Sequence, residues 1–494
     1  MLFEPLFAHA RQEPDAVAIT DDTGQYTYQR LASMAAGLGV YLARQTQRPH
    51  VGLLLPPSAG FAASFYGTLL AGKSVVPLNY LLGDREIAHV IKDSDIDTVI
   101  TIPQLGARLR DTAIKIIDLT QFPPAPPAVA PKLPAPESDD LAVLMYTSGT
   151  SGLPKGVILT YGNLQSDVDA SIQHANLQSR HTFLGVIPLF HAFGLTAMML
   201  APIQLGAPIV YIARFSPVAT IAAIRRHNVS LMFGVPSMFA ALLRLDDARS
   251  DDFARMFAVI SGGEPLSPAV REAFLKRFGT PLLEGYGLTE TSPVVTLNTP
   301  TANRPGSVGR PLPGVEIRIV DEQGRALGTD EVGEVWLRGP MVTKGYYNLP
   351  EETASALTGD GFFKTGDLGR LDADGYLYIT GRKKDLIIVA GEKVTPREVE
   401  EVLARHPSVA EAAVVGRKDP GRGEVVVAFV VPAPGQTVNA DELRSFCRQE
   451  GLMNFKIPRE IVVIDELPRS PTGKVLKRIL AERANASAPD APAA

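Results

Sequence analysis

The chain has 494 residues, of which 45% are hydrophobic and 20% are charged, and its formal net charge is -5. This length exceeds what one hydrophobic core supports, so we expect a globular protein with at least two domains. The small negative charge excludes a basic nucleic-acid-binding surface. The single cysteine, Cys447, excludes an internal disulfide and a Cys/His zinc cluster.

The N-terminal segment carries Glu4 and Arg11 and lacks a long apolar core, so it does not predict a signal peptide. No run approaches about 18 uninterrupted apolar residues, so we expect no transmembrane segment. With a single cysteine and no such segments, we expect a cytoplasmic protein that binds no nucleic acid and is a monomer or homodimer. Peripheral contact with a membrane stays open.

Short apolar runs alternate with helical patterns through the first 260 residues. HVGLLLP (50–56) and SVVPLN (74–79) are strand-like, and SAGFAASFYGTLLAG (58–72) between them is helical. Continuously apolar strands separated by helices are typical of parallel sheets covered on both faces. The proline-rich stretch 121–138 predicts an extended surface connection. The pattern predicts an α/β fold with a large parallel-rich N-terminal domain.

The pattern changes from about residue 306 to residue 381, where short strands separated by turn residues predict a small β unit. After GRKKD (381–385), helical and strand patterns alternate again and predict a small α+β domain up to residue 483. The tail 484–494, ANASAPDAPAA, has no means of burying itself, so we expect it to be disordered.

A polar, glycine-rich loop, YTSGTSGLPKGV (146–157), follows the apolar run LAVLM. Glycine-rich loops after strands commonly hold phosphate through their backbone N–H groups. The P-loop pattern is absent, because Lys155 follows Pro154 and Gly156 stands where the magnesium-binding hydroxyl should be. A solvated Ser/Gly linker is the alternative interpretation, although Lys155 and the preceding buried strand weigh against it.

Four further motifs follow: LLEGYGLTET (282–291), FFKTGDLG (362–369), GYLYITGRKKDLI (375–387) and LPRSPTGKVLKR (467–478). With the loop, they resemble in type and order the signatures of adenylate-forming enzymes, namely acyl-CoA synthetases, peptide-synthetase adenylation domains and firefly luciferase. The amino-acid sequences of these motifs most resemble those of fatty-acid–CoA ligases. The resemblance implies an N-terminal adenylate-forming domain over 1–381 with its β unit at about 306–381, a hinge at 382–386, and a mobile C-terminal α+β lid domain over 387–483.

The resemblance also implies that a carboxylate attacks ATP to give an acyl-adenylate and pyrophosphate, and that coenzyme A then takes the acyl group, with Mg²⁺ as cofactor. The phosphates would be held by Thr147, Ser148, Gly149, Thr150, Ser151, Gly152 and Lys155. The rest of the nucleotide would be held by Gly285, Tyr286 (adenine), Gly287, Asp367 (ribose), Ile379 and Arg382. Thr289 would contact the α-phosphate, and Glu290 would bind Mg²⁺.

Lys474 is, by resemblance, the residue that bridges the attacking carboxylate and the α-phosphate. A lysine has a compact charge on a long stem, which suits it to reach a site formed by another domain. The resemblance places the pivot of the rotating domain at Lys384, in the polar GRKKD turn. After rotation, VAGEKV would reach the active site, and Gly391 would let the pantetheine arm pass.

The acid is expected to be uncharged apart from its carboxylate, because no acidic residue lies between Arg180 and Arg214 to pair with an ammonium group. His191 resembles the family's acyl-pocket residue and would gate it, with a packed core histidine as the alternative. The other predicted pocket residues are Gly234, Gly262, Gly263, Gly285 and Gly287. Glycines beside Met198, Met199, Met232 and Met238 suit an extended alkyl chain, which favours a medium- or long-chain fatty acid.

Aryl acids such as hydroxycinnamates or benzoates stay open as substrates. A carrier protein as acceptor is disfavoured, because the acyl-AMP ligases that use one carry an insertion after the ribose region, and the spacing from TGDLG to GRKKD is short here. A pure binder is disfavoured by the presence of Lys474, Glu290 and Asp367. An acyltransferase fusion would need an H-x₄-D motif, and HAFGLT ends in threonine.

Overall fold

The structure is a computed structural model that describes residues 1–110, 112–122, 133–148, 153–469 and 475–486. The chain forms two compact units. The first comprises residues 1–265, 273–317 and 337–364. The second comprises residues 266–272 and 318–336 and those from Thr365 onward.

The helices of the described residues are mostly short, and many begin at a proline or after a side-chain cap. They are α1 (Glu4–Gln12), α2 (Tyr28–Gln45), α3 (Ala59–Leu70), α4 (Asp84–Asp93), α5 (Pro103–Gly106), α6 (Tyr161–Ala175), α7 (Ala192–Leu195), α8 (Ala201–Leu205), α9 (Pro217–His227), α10 (Pro236–Leu242), α11 (Ser250–Phe253), α12 (Pro268–Phe278), α13 (Pro350–Ala356), α14 (Pro396–Leu403), α15 (Ala440–Gln449) and α16 (Lys477–Ala486).

The strands of the described residues assemble into four sheets. They are β1 (Val17–Asp21), β2 (Gly24–Thr27), β3 (His50–Leu54), β4 (Ser74–Pro77), β5 (Thr98–Thr101), β6 (Lys115–Asp118), β7 (Leu141–Ser148), β8 (Pro154–Thr160), β9 (Phe183–Gly185), β10 (Ile209–Tyr211), β11 (Leu231–Gly234), β12 (Ala258–Ser261), β13 (Leu282–Gly287), β14 (Val294–Leu297), β15 (Arg310–Pro311), β16 (Glu316–Val320), β17 (Gly333–Arg338), β18 (Phe363–Leu371), β19 (Leu377–Arg382), β20 (Ile387–Val389), β21 (Glu392–Val394), β22 (Val409–Asp419), β23 (Gly423–Pro432) and β24 (Glu460–Val463).

Two large sheets carry the first unit. One has the order β6-β5-β3-β4-β7-β8 and is parallel except for the β7–β8 hairpin. The other has the order β15-β14-β13-β12-β11-β9-β10-β1-β2, and its six central strands are parallel. Strands β3 and β4 are buried along their whole length, as the continuous apolar runs predict. The α/β fold with parallel-rich sheets and flanking helices is therefore confirmed.

Two smaller sheets carry the second unit, with orders β16-β17-β18-β19 and β21-β20-β23-β22, the latter extended by β24 on β23. The long hairpin β22–β23 is antiparallel over its full length, and α14 and α15 supply side chains to the core on it. This sheet is the core of the α+β domain that the alternating pattern predicts after GRKKD.

The compact units divide the chain differently from the predicted domains, since residues from Thr365 onward and residues 318–336 group with the C-terminal part. The predicted boundary and the hinge at 382–386 therefore stay predictions. Within the predicted disordered tail, Asn485 and Ala486 continue helix α16, and buried Ala484 packs with Leu480 against the second unit's sheet. The tail prediction is wrong for those residues, and 487–494 lie outside the described residues.

Candidate active site

The hairpin formed by β7 and β8 carries the start and end of the predicted phosphate loop. Thr147 pairs with Lys155 across it, so the lysine lies at a defined register position beside the loop. Lys155 Nζ is 3.5 Å from Glu352 Oε1 and 5.8 Å from the centroid of the Tyr346 ring. The Ser148 side chain, Gly149, Thr150, Ser151, Gly152 and Lys474 lie outside the described residues.

The end of β13 brings a second predicted motif into place. Gly285, Tyr286 and Gly287 pair with β14, and the register shifts between Tyr286 and Gly287. A Cβ on Gly287 would lie 1.7 Å from the carbonyl oxygen of Pro293, so only glycine permits this close return of the chain. The turn that follows holds Thr289 and Glu290 in a single 3₁₀ turn before β14.

Glu290 is half-buried and oriented by groups from residues 343–346. The Tyr346 hydroxyl donates to its Oε1 at 2.9 Å, and the backbone N–H of Thr343 donates to its carbonyl at 2.8 Å. Burial, and then the negative charge of Glu290, raises the pKa of Tyr346, so the phenol keeps its proton for this hydrogen bond. One carboxylate oxygen and the backbone carbonyl of Glu290 are thus both held by the 343–346 segment.

Helix α6 supports the same turn from behind, through two residues that the sequence analysis did not select. Buried Asn163 donates from Nδ2 to the carbonyls of Pro340 (2.8 Å) and Val342 (2.9 Å). Fully buried Asp167, one helical turn later, accepts from the N–H of Val294 at 3.0 Å. The helix therefore holds both segments that flank Glu290.

A local signal for Asn163 was present in the sequence. Thr160 and Asn163 form a reciprocal cap of helix α6, in which each side chain accepts from the other's backbone N–H at 3.1 Å. A T-x-x-N pattern directly after a strand could have marked the helix start. Nothing local marks the distant partners of Asn163 and Asp167.

The donor set of this unit fits a magnesium ion shared with phosphate. No group of three or more His, Cys, Asp or Glu side chains that could hold a metal occurs among the described residues. Mg²⁺ is commonly bound by one or two carboxylates together with substrate phosphates and water, so a single oriented carboxylate such as Glu290 is sufficient.

In the second unit, Asp367 on β18 and Arg382 on β19 are direct cross-strand partners. Arg382 Nε donates to Asp367 Oδ1 at 3.0 Å, and the Asp367 carboxylate is buried except for about a twentieth of its surface. The N–H of Asp367 donates to Thr365 Oγ1 at 3.0 Å, which fixes the backbone before it. The Asp367 carboxylate is an acceptor that can receive hydrogen bonds from hydroxyl groups of a ligand.

The predicted hinge turn follows β19. Residues Lys383–Asp385 form a single 3₁₀ turn, and Lys384 is exposed. Lys383 reaches Glu334 at 3.0 Å on β17, a strand of the same sheet. The carbonyl of Ile379, in β19 itself, accepts from Arg397 Nη1 at 2.7 Å, so its backbone is engaged by helix α14.

The backbone conformation at position 391 favours glycine, a reason that the motif alone did not indicate. Ala390 and Gly391 have φ values of 52° and 90° and form the two-residue loop between β20 and β21. Two-residue hairpin loops favour positive φ at both positions, and glycine adopts it without strain. A Cβ on Gly391 would meet no atom within 4 Å, so backbone conformation rather than packing favours glycine here.

His191 precedes helix α7, and its ring centroid lies 4.8 Å from that of Phe190. Its backbone carbonyl accepts from the N–H of Leu195 at 2.9 Å, which begins the helix. The histidine is half-buried in an aromatic surrounding, as the sequence suggested. Its gating role stays a prediction.

The glycines predicted to line the acyl pocket lie close to side chains of the protein itself. A Cβ on Gly234 would lie 2.8 Å from the Phe239 ring, and one on Gly262 would lie 3.1 Å from the Phe193 ring. One on Gly285 would lie 3.0 Å from Leu297, and Gly263 has a φ of 80°. The three methionines Met198, Met199 and Met232 have no accessible surface. These contacts show how the glycines pack within the protein, and the place of these residues at an acyl pocket stays a prediction.

Within the first unit, the structure brings Lys155, Tyr346 and Glu290 into one connected group. Within the second unit, it brings Asp367 and Arg382 together. No helix among the described residues is long and apolar enough to span a membrane.

Comparison with known proteins adds two family matches. Residues 6–347 match the AMP-binding enzyme family, and residues 398–474 match the AMP-binding enzyme C-terminal domain. Among curated relatives, a long-chain-fatty-acid–CoA ligase of Bacillus subtilis is 33% identical over 520 residues, covering 96% of this chain and 92% of the relative. A feruloyl-CoA synthase of Amycolatopsis is 35% identical over 481 residues, covering 95% and 96%.

Among solved structures, o-succinylbenzoate CoA synthetase (MenE) from Bacillus subtilis, in complex with ATP and a magnesium ion, superposes with a TM-score of 0.86. Its sequence is 31% identical, and the match covers 96% of this chain and 98% of that one. The likeness therefore extends over nearly the full length of both chains.

Proposed function

This chain belongs to the AMP-binding enzyme family, and from that premise we propose how its residues divide the work of an ATP-dependent acyl-CoA synthetase. Family membership establishes an AMP-forming acid–thiol ligase, an acyl- or aryl-CoA ligase that acts through an adenylate. The reaction converts a carboxylic acid, ATP and coenzyme A into acyl-CoA, AMP and pyrophosphate. The roles of individual residues and the identity of the acid are the proposal.

The observation that carries the proposal is the connected group of Lys155, Tyr346 and Glu290 in the first unit. Adenylation brings two anions together, so it needs cations and oriented groups around the phosphates. Lys155 would bind the β- and γ-phosphates together with Thr147 and the hydroxyls and glycines of the loop. Thr289 would donate to an α-phosphate oxygen.

Glu290 would hold Mg²⁺, with the phosphates supplying further oxygens. The ion, when bound, would neutralise charge on the triphosphate, and the MenE structure in complex with ATP and a magnesium ion supports the use of this metal. Tyr346 keeps the Glu290 carboxylate in position for this role through its 2.9 Å hydrogen bond.

Further residues are proposed for binding of the nucleoside. Tyr286 would stack on adenine between the glycines of β13, and Asp367 would accept hydrogen bonds from the ribose hydroxyls. The Arg382 side chain, already paired with Asp367, would contact the sugar or the phosphate. Ile379 would line the nucleoside from β19.

Lys474 would bridge the attacking carboxylate and the α-phosphate during adenylation. For thioester formation, the C-terminal domain would rotate about Lys384 and bring VAGEKV to the acyl-adenylate. The exposed 3₁₀ turn that contains Lys384 supports this assignment, because a hinge needs a residue whose φ and ψ can change without breaking a core.

The acid is proposed to be neutral apart from its carboxylate, and the finer prediction of a medium- or long-chain fatty acid is supported by the Bacillus subtilis relative. A specific observation favours aryl acids as a second candidate. The Phe193 ring approaches Gly262, and Phe233 packs edge-on against Phe193 at 6.0 Å, so this part of the predicted pocket is rich in aromatic rings. The feruloyl-CoA synthase relative points the same way.

The test is a panel of carboxylic acids, incubated with ATP, Mg²⁺ and coenzyme A and scored for AMP and acyl-CoA. Fatty acids of increasing length and hydroxycinnamates or benzoates form its two arms. Acyl-CoA with equimolar AMP would support the proposal, and the preferred arm would identify the acid class. Adenylate formation without transfer to coenzyme A would favour a carrier-protein acceptor. If none of the acids in either arm causes release of pyrophosphate, both acid classes are contradicted.

A further inference from the structure

The loop lysine has a carboxylate partner that none of the predicted motifs contains. Lys155 Nζ lies 3.5 Å from Oε1 of Glu352, in the first turn of helix α13. The exposed fractions of the two side chains are 23% and 39%, so water screens the pair only in part. A phosphate oxygen that binds Lys155 must therefore compete with a carboxylate that is already present.

The position of Glu352 is fixed by the same segment that orients Glu290. The N–H of Tyr346 donates to Thr353 Oγ1 at 2.9 Å, which ties the first turn of α13 to the residue that holds Glu290. A Cβ on Gly345 would lie 2.3 Å from Thr353, so helix and segment are packed closely at this point. Glu352 is thus anchored beside Lys155 rather than placed there by a freely moving loop.

We propose that Glu352 is a positioning residue that holds Lys155 between turnovers and takes it back from pyrophosphate, so that the product is released. The inference rests on the proposed role of Lys155 in binding the β- and γ-phosphates. The step is an exchange of ion pairs. Lys155 keeps its proton throughout, and its ammonium passes from the carboxylate to a phosphate oxygen and back.

The charges give the inference its direction. Glu352 neutralises Lys155, so its carboxylate lowers the affinity of this lysine for the phosphates of pyrophosphate and of ATP. Tight binding of a product limits turnover when release is the slow step, and a weaker hold on pyrophosphate raises the rate. The cost is a higher ATP concentration for half-saturation.

The test is the isosteric variant Glu352→Gln, which removes the charge and keeps the shape. Pyrophosphate with Mg²⁺ is titrated calorimetrically into the full-length protein, and we expect its affinity to rise about two- to five-fold, as for a partly exposed ion pair. KM for ATP should fall by a similar factor while the rate of pyrophosphate release falls. Glu351→Gln, a change at the exposed neighbour in the same helical turn, is the matched control and should leave both unchanged.

A second pair of variants separates this role from a general charge effect. In a Lys155→Met background, Glu352→Gln should change pyrophosphate affinity by much less than in the wild type, because the carboxylate has lost its partner. Unchanged or weaker pyrophosphate binding in Glu352→Gln, or an equal gain in both backgrounds, would overturn the inference. If the wild type shows neither pyrophosphate binding nor ATP–pyrophosphate exchange, the proposed function itself fails. If the wild type shows both, a null result in Glu352→Gln counts against this inference alone.

Discussion

The turn that carries Glu290 and the turn that carries Lys384 are both short 3₁₀ turns, yet their surroundings are opposite. The Glu290 turn is hydrogen-bonded by Thr343 and Tyr346, and buried Asn163 and Asp167 hold the segments on either side. The Lys384 turn has exposed cationic side chains, and Lys383 reaches one carboxylate on a sheet.

This difference separates two requirements of a two-step ligase. A group that stabilises charge in the transition state works best when its position is fixed before the substrate arrives. A pivot needs backbone angles that can change without disrupting a core. If the two turns have the proposed roles, the Glu290 turn has the buried, multiply bonded support that the first requires and the Lys384 turn has the exposure that the second requires, so changes at the two turns should affect different half-reactions.

The largest expected effect comes from the group that the proposal makes mobile. Lys474→Ala should lower acyl-adenylate formation by about 10² to 10³, the usual loss on removing one charge-stabilising group. Transfer of the acyl group from preformed adenylate to coenzyme A should be largely spared. Rates of ATP–pyrophosphate exchange and of thioester formation from synthetic acyl-adenylate measure the two steps. An equal loss in both would contradict a lysine that serves adenylation alone.

The pivot is tested by fixing its backbone. Proline locks φ near −65°, so Lys384→Pro should hinder rotation and lower thioester formation, by up to about 10² if the acceptor site is misplaced by 1 Å. Adenylation should change much less. Lys384→Ala removes the same side chain but leaves the backbone free, and it should retain both half-reactions. Normal thioester turnover in the proline variant would remove Lys384 as the pivot.

A smaller effect is expected from loosening the fixed turn. Tyr346→Phe removes the hydroxyl that donates to Glu290 Oε1 and leaves the ring in place. Hydrogen bonds to charged groups contribute about 1.5–3 kcal/mol, and this one is half-buried, so we expect about a tenfold loss in kcat/KM for magnesium–ATP. The concentration of Mg²⁺ needed for half-maximal rate should rise as well.

The adjacent residue provides the control for that change. Tyr347 packs edge-on against His50 at 5.7 Å rather than on Glu290, so Tyr347→Phe should leave the magnesium requirement unchanged. A Tyr346→Phe enzyme with normal kcat/KM and normal Mg²⁺ dependence would show that Glu290 needs no such support. The rigid support of the Glu290 turn would then have no measurable effect on catalysis.

The sequence predicted well those features whose cause is local. Continuous apolar runs such as HVGLLLP predicted the buried parallel strands, and the ordered motifs identified the family, both of which are confirmed. The tail prediction erred over 484–486 because composition says nothing of the sheet surface that buries Ala484. Site residues beyond the motifs depend on partners far along the chain.

Two cases show why such residues escaped. Asp167 bonds Val294, which is 127 residues away, and Asn163 bonds Pro340, which is 177 away, so no window of sequence contains both members of either pair. The packing of the glycines is hidden from the sequence for a related reason. The absence of a side chain at Gly262 is visible in the sequence, but the Phe193 ring that a Cβ there would meet at 3.1 Å is not.

The smallest expected effect concerns the support of the fixed turn itself. Burial raises the pKa of Asp167 well above its usual 3.8, and the N–H of Val294 offsets this in part, so the folded protein binds the proton more tightly than the unfolded chain. A raised folded pKa gives stability that is fully present below the unfolded pKa and is lost as pH rises toward the folded value. Asp167 should therefore make the protein less stable at pH 8 than at pH 5.

Asp167→Asn keeps an oxygen for Val294 and cannot ionise, so its free energy of unfolding should fall less between pH 5 and pH 8 than that of the wild type. Urea unfolding at the two pH values measures the difference, and Asp169→Asn, at an exposed carboxylate on the same helix, should follow the wild type. Parallel slopes for the wild type and Asp167→Asn would mean that the acid is ionised when buried. The Glu290 turn would then be supported by an ionised carboxylate rather than by a neutral carboxylic acid. Both turns would have charged groups in their surroundings, and the difference between them would be one of burial alone.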